Sequence, residues 1–231
     1  MNFLADLNAG VIAIQIAVLL FSLGLHEAAH AWMASRWGDD TARSLGRVTL
    51  NPRAHVDPVG TLLFPILMLA AHLPVIGWAR PVPFDPSRLR DAGRAQLFIS
   101  LAGPASNLAA AAAAFALLAV LKLAMAGSRG PIFFLAATMR LPGEQTILAA
   151  VVGILFYLVV INLALAIFNL IPIPPLDGHW ILYAILPAGA AGAIRRFGSY
   201  GFLLLYLMMF MGMFRFIFIP IDWMRRLLLT I

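Results

Sequence analysis

The feature that most constrains the fold is a long apolar run near the N-terminus. From Val11 to Met33 nearly every residue is hydrophobic or small, apart from a charged cluster at positions 26–30. About 20 such residues are enough for a helix to cross the hydrocarbon core of a bilayer. Ionisable groups at membrane depth are costly and usually mark function. The run therefore predicts a membrane-spanning helix, with bounds near 7–36, that carries a functional site.

The cluster reads His26-Glu27-Ala28-Ala29-His30. Histidines at i and i+4 lie on one face of a helix, one turn apart, so that His26 and His30 can bind the same metal ion. Glu27, beside the first histidine, suits a general base acting on a water held by that ion. The alternative is a polar helix face satisfied by hydrogen bonds to neighbouring helices. The metal interpretation is favoured because polar partners are scarce inside a membrane.

The composition sets the class of protein. The chain is 62% hydrophobic and only 11% charged, whereas a soluble domain has about 25% charged residues. We therefore expect an all-α polytopic membrane protein with about four to six transmembrane helices. The net charge of +6 is better suited to fixing orientation against the cytoplasmic face than to binding nucleic acid, which we exclude. The chain has no cysteine, so a metal must be held by histidine and carboxylate.

The remaining segments are expected to form a single transmembrane domain over 1–231. The segment at 59–79 is apolar but interrupted by Pro65 and Pro74, and basic residues flank both of its ends. A full crossing would place one basic flank outside, so we expect a segment that enters the membrane and returns. The predicted elements after the first helix are a β and re-entrant region (43–86, with a short strand at 44–50), two spans (96–125 and 145–170), an outer loop (127–144), a broken segment (169–186) and a last span (200–219).

The third metal ligand has several candidates. A catalytic zinc ion commonly has three protein ligands and one open position. Glu144 falls in the predicted outer loop, on the wrong side, whereas His55 and His179 are both candidates. Asp177 is the better candidate, because it follows a span in a segment broken by three prolines. The other interpretation is an ordinary turn, in which Asp and Gly serve turn chemistry. From the residues alone both interpretations stay open.

Topology offers an independent test of Asp177. Four arginines follow the first helix, at positions 36, 43, 47 and 53, so the positive-inside rule makes this end cytoplasmic. Two later spans bring the chain back to the same side before Asp177. Asp177 can then reach His26 and His30, provided that 59–79 adds no net crossing.

Several motifs together resemble the site-2 protease family of intramembrane zinc metalloproteases (peptidase family M50). Besides HEAAH, they are Asn51–Thr61 (NPRAHVDPVGT), Gly77–Pro83 (GWARPVP), Gly103–Asn107 (GPASN) and Asn169–Gly178 (NLIPIPPLDG). They follow the family's order and cover about three quarters of the chain. The chain resembles a minimal form without PDZ or CBS domains.

The resemblance implies one Zn²⁺ per chain, held by His26, His30 and Asp177, with Glu27 as the catalytic base. Asn169 matches a polar position near the metal, where it would donate to the developing oxyanion or merely cap its helix. The accessory or substrate candidates are His55, Asn107, Trp78 and Pro81. His55 would support the site, contact substrate or stabilise its loop, and Asn107 belongs to a motif expected to serve helix packing.

The function implied is intramembrane proteolysis, with a transmembrane segment of another protein as substrate and the lipid bilayer as surroundings. The expected location is a prokaryotic plasma (inner) membrane, with the active site toward the cytoplasmic side. The alternatives are a membrane metal-binding protein or transporter without hydrolytic activity, and an inactive scaffold. The sequence carries no signal for the oligomeric state.

Overall fold

A computed structural model describes residues 9–70, 77–140, 146–187 and 198–231, and these residues are mostly helical. No strand occurs within the described ranges. The helices are α1 (Ala9–Arg36), α2 (Thr41–Ser44), α3 (Phe64–Ala70), α4 (Ala92–Ala124), α5 (Ala126–Thr138), α6 (Ile147–Asn169), α7 (Gly178–Ile185), α8 (Gly201–Phe210) and α9 (Phe218–Thr230). Short 3₁₀ or π turns occur at Pro52–Ala54, Pro58–Leu63, Pro86–Arg88, Gly198–Tyr200 and Met213–Ile217.

Three helices of the described chain are long and apolar enough to cross a membrane, namely α1, α4 and α6. A fourth span is possible if α8 and the Met213–Thr230 segment, which meet at 82°, act as one broken span. The chain is therefore an integral membrane protein. Its described residues contain three or four candidate spans, which does not confirm the expected count of four to six. The predicted last span, 200–219, is interrupted because α8 ends at Phe210 and Gly212, just beyond it, adopts a left-handed φ of 69°.

Two loop predictions differ from the structure. The strand expected at 44–50 is absent, because the Arg47 amide donates to the Ala42 carbonyl and Gly46 adopts a φ of 68°, which turns the chain. The outer loop expected at 127–144 contains α5. That helix forms because Ile132 and Leu135 are fully buried in the main core, and this burial outweighs the local effect of its proline. Glu144 lies outside the described residues.

The main apolar core joins α1, α4, α5, α6 and the C-terminal segment. Its largest fully buried side chains are Phe156, Leu118, Ile132, Leu135, Ile221 and Leu228. The spans α1, α4 and α6 all contact one another. These three helices therefore form the rigid frame on which polar side chains from different parts of the chain can meet.

The end of α1 and the start of α4 lie at the same end of this frame. The Arg90 amide donates to the Trp37 carbonyl at 3.0 Å, and the Asp85 amide donates to the Asp39 carboxylate at 2.6 Å. Within the chain that connects the two helices, the Trp78 amide donates to the Gly60 carbonyl at 3.1 Å. The chain that connects α1 to α4 therefore begins and ends at one level of the bundle. Residues 71–76 of the predicted re-entrant segment lie outside the described residues.

Candidate metal site

The first half of the site is a polar stripe on α1. Ser22, His26 and His30 follow one another at intervals of four residues and so lie on one face of the helix. All three are buried, with exposed fractions of 0%, 4% and 8%. The stripe faces α4, which supplies a hydrogen-bond acceptor for each imidazole.

Each imidazole is oriented through its Nδ1 atom. His26 Nδ1 lies 2.6 Å from Asn107 Oδ1, and His30 Nδ1 lies 2.6 Å from the Ile99 carbonyl oxygen. Because both oxygens can only accept, each Nδ1 must carry the proton and donate it. Each Nε2 is then left with a lone pair. This is the usual arrangement of a metal-binding histidine, in which one ring nitrogen donates to the protein and the other binds the ion.

Gly103 on α4 allows the two helices to approach closely enough for these bonds. A Cβ atom at this position would overlap the ring atoms of His26 and His30. The close packing expected from the Gly103-Pro104 pair is thus present. A larger residue would push α1 and α4 apart.

The second half of the site is the broken segment between α6 and α7. Pro172, Pro174 and Pro175 prevent helix there, as predicted. The α7 helix then begins at Gly178, where a Cβ atom would collide with the Leu170 and Ile171 carbonyl groups. Asp177 stands at the N-cap position of α7, but its side chain makes no capping hydrogen bond. The carboxylate is therefore not used for turn chemistry.

Asp177 instead approaches both histidines. Its Oδ2 atom lies 3.1 Å from His26 Nε2 and 3.3 Å from His30 Nε2, and the two Nε2 atoms are 3.0 Å apart. The Oδ2 atom is buried and has no hydrogen-bond donor. Three lone-pair atoms thus converge on one point with no proton between the imidazoles, an arrangement that is repulsive unless a cation lies there.

The triangle suits zinc. A tetrahedral zinc ion with bonds of about 2.0–2.1 Å separates its ligand atoms by about 3.3 Å, and the three observed separations are 3.0–3.3 Å. Two neutral imidazoles and one carboxylate are also a common ligand set for catalytic zinc, with the fourth position left open. The residues present therefore fit the expected ion. Within the described residues, this is the one group of this kind that could hold a metal.

The remaining catalytic candidates lie nearby or at the end of α6. Glu27 is half-buried on α1 and interacts electrostatically with His30 and with Arg47. Asn169 is the last residue of α6, and its amide donates to the Leu165 carbonyl at 2.9 Å within its own helix. A role as oxyanion donor would therefore depend on its second N–H group.

Of the four accessory candidates, only Asn107 has a described hydrogen bond to one of the three convergent residues. The His55 ring is buried against Gly24 of α1, and its Nε2 donates to the Thr49 carbonyl at 2.8 Å. The Trp78 indole packs on Gly60. The Pro81 carbonyl accepts a hydrogen bond from Arg47 at 3.0 Å. These contacts stabilise the connection between α1 and α4.

Sequence reasoning missed two residues that lie beside the site, Ser22 and Asn162. Both are fully buried and belong to the hydrogen-bond network that holds Asn107. Asn162 carried a usable signal, because it is an amide in the middle of an apolar span and such groups need a partner there.

A helical membrane protein with two buried histidines, a half-buried aspartate and a neighbouring glutamate has the chemistry of a metallohydrolase. Comparison with known proteins agrees with this class. The chain matches the family model described as peptidase family M50 over residues 14–213. It belongs to that family, the site-2 protease family, and is a zinc metalloprotease.

Two curated relatives illustrate the similarity. "Putative zinc metalloprotease YwhC" of Bacillus subtilis (strain 168) is 37% identical over 191 residues, which cover 81% of this chain and 76% of the relative. "Putative zinc metalloprotease Rip2" of Mycolicibacterium smegmatis is 32% identical over 200 residues, which cover 87% of this chain and 68% of the relative. No solved structure matches the chain.

Proposed function

We propose that this chain is an intramembrane protease that hydrolyses a peptide bond within or near a transmembrane segment of another membrane protein. The observation that carries the proposal is the convergence of Asp177 with His26 and His30. The two histidines, and Glu27 next to His26, lie on a helix that could cross the bilayer. His26, His30 and Asp177 hold the zinc ion. The scissile peptide must reach the metal site, which lies on a candidate membrane span. The substrate must therefore be a chain that enters the membrane.

The chemistry divides between the ion and the protein. A zinc ion held by these three residues would polarise the scissile carbonyl and lower the pKa of the attacking water. Glu27 accepts a proton from that water while the water oxygen attacks the carbonyl carbon. Glu27 then delivers the proton to the amide nitrogen as the C–N bond breaks, which releases a neutral amine. Asn169 donates its second N–H group to the oxyanion that develops between these steps.

We infer that the segment at 59–79 enters the membrane and returns without crossing. Support comes from the contact between Trp78 and Gly60 and from the two contacts that join the end of α1 to the start of α4. The stretch from Gly77 to Val82 would pair with an unwound substrate. The Trp78 and Arg80 amides are already bonded to the Gly60 and His55 carbonyls, so pairing would use the Ala79 amide between them.

We further propose a prokaryotic plasma membrane as the location, with the metal site toward the cytoplasm. The end of the bundle nearest His30 carries a concentration of arginine, which the positive-inside rule assigns to the cytoplasmic side. These arginines are Arg36, Arg43, Arg47, Arg53, Arg80, Arg88, Arg90 and Arg94. Water would then reach the site from the cytoplasm.

Zinc content and cleavage, measured together, test the proposal. The assay compares the wild-type protein and Glu27→Gln in liposomes that contain a model transmembrane substrate. We expect both proteins to hold about one zinc ion per chain, because Glu27 is not a ligand, and only the wild type to cleave. Glu144→Gln, the same change at the other glutamate of the sequence, is the matched control and should cleave normally. Cleavage by Glu27→Gln at the wild-type rate would refute the assignment.

A metal carrier is the less favoured alternative. It would need the three ligands but neither Glu27 nor an open fourth position. Zinc-dependent cleavage that disappears in Glu27→Gln excludes this alternative, whereas zinc transport that survives the substitution would support it.

A further inference from the structure

A network of buried polar side chains connects α6 to the metal site by hydrogen bonds. Ser22 on α1, Asn107 on α4 and Asn162 on α6 are each fully buried between three apolar spans. A buried amide without partners costs several kcal/mol (roughly 2–7). All three side chains are hydrogen-bonded to one another or to backbone, and these bonds determine the orientation of both amides.

The donors and acceptors of this chain of hydrogen bonds can be assigned starting from Asn162. Its Nδ2 donates to the Leu158 carbonyl at 2.8 Å and to Ser22 Oγ at 2.8 Å. A carbonyl can only accept, so the nitrogen of the Asn162 amide must be on this side. Its oxygen is therefore on the other side, where it accepts from Asn107 Nδ2 at 2.7 Å.

The Asn107 amide is oriented in the same way, and its oxygen contacts the metal site. Its Nδ2 donates to the Ser22 carbonyl at 3.2 Å as well as to Asn162 Oδ1. Turning this amide over would bring its oxygen against two acceptors, so the oxygen stays toward His26 Nδ1, 2.6 Å away. His26 must then donate from Nδ1 and present the lone pair of Nε2 to the ion.

We propose that Asn162 is a positioning residue of the metal site. Together with the Ser22 carbonyl, Asn162 holds the Asn107 amide in one orientation, so that His26 carries its proton on Nδ1 and keeps Nε2 available for zinc. His30 needs no such chain, because its Nδ1 donates directly to the backbone at Ile99. The two histidines are thus oriented by different means, and only His26 depends on α6.

The inference rests on the proposed role of His26 as a metal ligand, and zinc affinity measured by competition with a chelator tests both. The wild-type protein in detergent is compared with Asn162→Leu, Asn107→Leu and the double variant. Removing a partner of a metal ligand typically weakens metal binding by about 10–100-fold. We expect a loss of about tenfold for Asn162→Leu, and a larger loss for Asn107→Leu.

The double variant separates positioning from a general structural effect. If Asn162 acts through Asn107, the double variant binds zinc no more weakly than Asn107→Leu alone. Losses that multiply in the double variant would overturn the inference, as would wild-type affinity in Asn162→Leu. Asn162→Asp provides a second variant. A buried carboxyl group is expected to be protonated and keeps an oxygen for Asn107, so its zinc affinity should be near that of the wild type. A loss as large as that of Asn162→Leu would contradict the inference.

Two controls complete the design. Ser128→Ala removes another fully buried hydroxyl, which donates to the Leu121 and Met125 carbonyls away from the three convergent residues, and should leave zinc affinity unchanged. His26→Ala distinguishes a wrong assignment of the metal site from a wrong role for Asn162. If this variant binds zinc as the wild type does, the proposed site is wrong. If it loses zinc while Asn162→Leu does not, only the role of Asn162 is wrong.

Discussion

Asp177 Oδ2 lies 3.1 Å from His26 Nε2, although the two residues are far apart in the sequence. Two long helices, α4 and α6, separate them along the chain and bring the second segment back to the level of the first. Neither atom has a proton to share with the other when His26 donates from Nδ1. The pair is therefore stable only with a cation between its members.

The first prediction concerns this pair. Asp177→Asn replaces the proposed anionic ligand by a neutral amide of the same size. We expect zinc affinity to fall by more than about 100-fold, the upper end of the range for residues that merely support a ligand. Chelator competition measures the change. The control is Asp222→Asn, which alters a carboxylate paired with Arg225 on α9. Equal affinities for Asp177→Asn and wild type would remove Asp177 from the ligand set.

The second prediction concerns the closest approach of α1 and α4. Gly103→Ala would place a methyl group on the rings of His26 and His30. Overpacking of this kind typically costs about 1–3 kcal/mol, and here it would also displace the rings of two proposed ligands. We expect a lower melting temperature for the zinc-free protein and weaker zinc binding.

Gly130→Ala is the matched control for that variant. Gly130 lies within α5, and a Cβ atom there meets nothing within 4 Å. Alanine is favoured over glycine inside a helix by roughly 0.5–1 kcal/mol, so this variant should melt at the same or a higher temperature and bind zinc normally. A Gly103→Ala protein that behaves like Gly130→Ala would show that the two helices can separate without harm.

Much of the bundle and of the metal cluster could be predicted from the sequence. The spans follow from hydropathy, and the histidine pair follows from helical periodicity, because both signals are local. Asp177 needed a longer argument. Its approach to His26 depends on how many times the chain crosses the membrane between the two residues. The positions of the arginines indicated that number, and the family resemblance supported Asp177 as a ligand.

Other features depend on tertiary packing that the sequence does not reveal. The α5 helix was predicted as a loop from its glycines and proline, yet it forms because Ile132 and Leu135 enter the core. The strand predicted at 44–50 has no partner strand in the described chain. The contact between Asn107 and Asn162 depends on how α4 and α6 are rotated about their axes, and a single sequence carries no record of that rotation.

The third prediction concerns Arg47, a buried cation in the connection between α1 and α4. Its guanidinium donates to the carbonyl groups of Ala54, Arg80 and Pro81, and so joins two separate stretches of that connection. Arg47→Met keeps much of the side-chain volume but leaves three carbonyls without this donor. We expect faster amide hydrogen exchange, measured by mass spectrometry, in peptides that cover 47–56 and 77–84.

Arg53→Met is the control for this experiment, since Arg53 is exposed. It should leave exchange in both peptides at the wild-type rate. Unchanged exchange in Arg47→Met would show that the remaining contacts, such as the Arg80 amide with the His55 carbonyl, hold the connection without the guanidinium.

The fourth prediction concerns the pH dependence of stability at Asp39, which follows α1 and is fully buried. Burial alone would raise the pKa of its carboxyl group. Hydrogen bonds from the Thr41 hydroxyl and from the Asp85 and Thr41 amides outweigh burial and hold that pKa below its usual range. A group whose pKa is lower in the folded state stabilises that state above its unfolded pKa, about 3.9, and ceases to do so as the pH falls further.

Asp39→Asn should therefore lower the melting temperature most near neutral pH, because one oxygen that accepts hydrogen bonds becomes an amide that cannot. The difference between wild type and variant should shrink below about pH 4, where Asp39 of the unfolded wild-type chain takes up a proton before Asp39 of the folded protein does. Melting curves in detergent from pH 3 to pH 7 measure this. Asp40→Asn changes the exposed neighbour and should follow the wild-type curve throughout. A difference between Asp39→Asn and wild type that stays constant with pH would mean that the ionised form of Asp39 contributes nothing to stability.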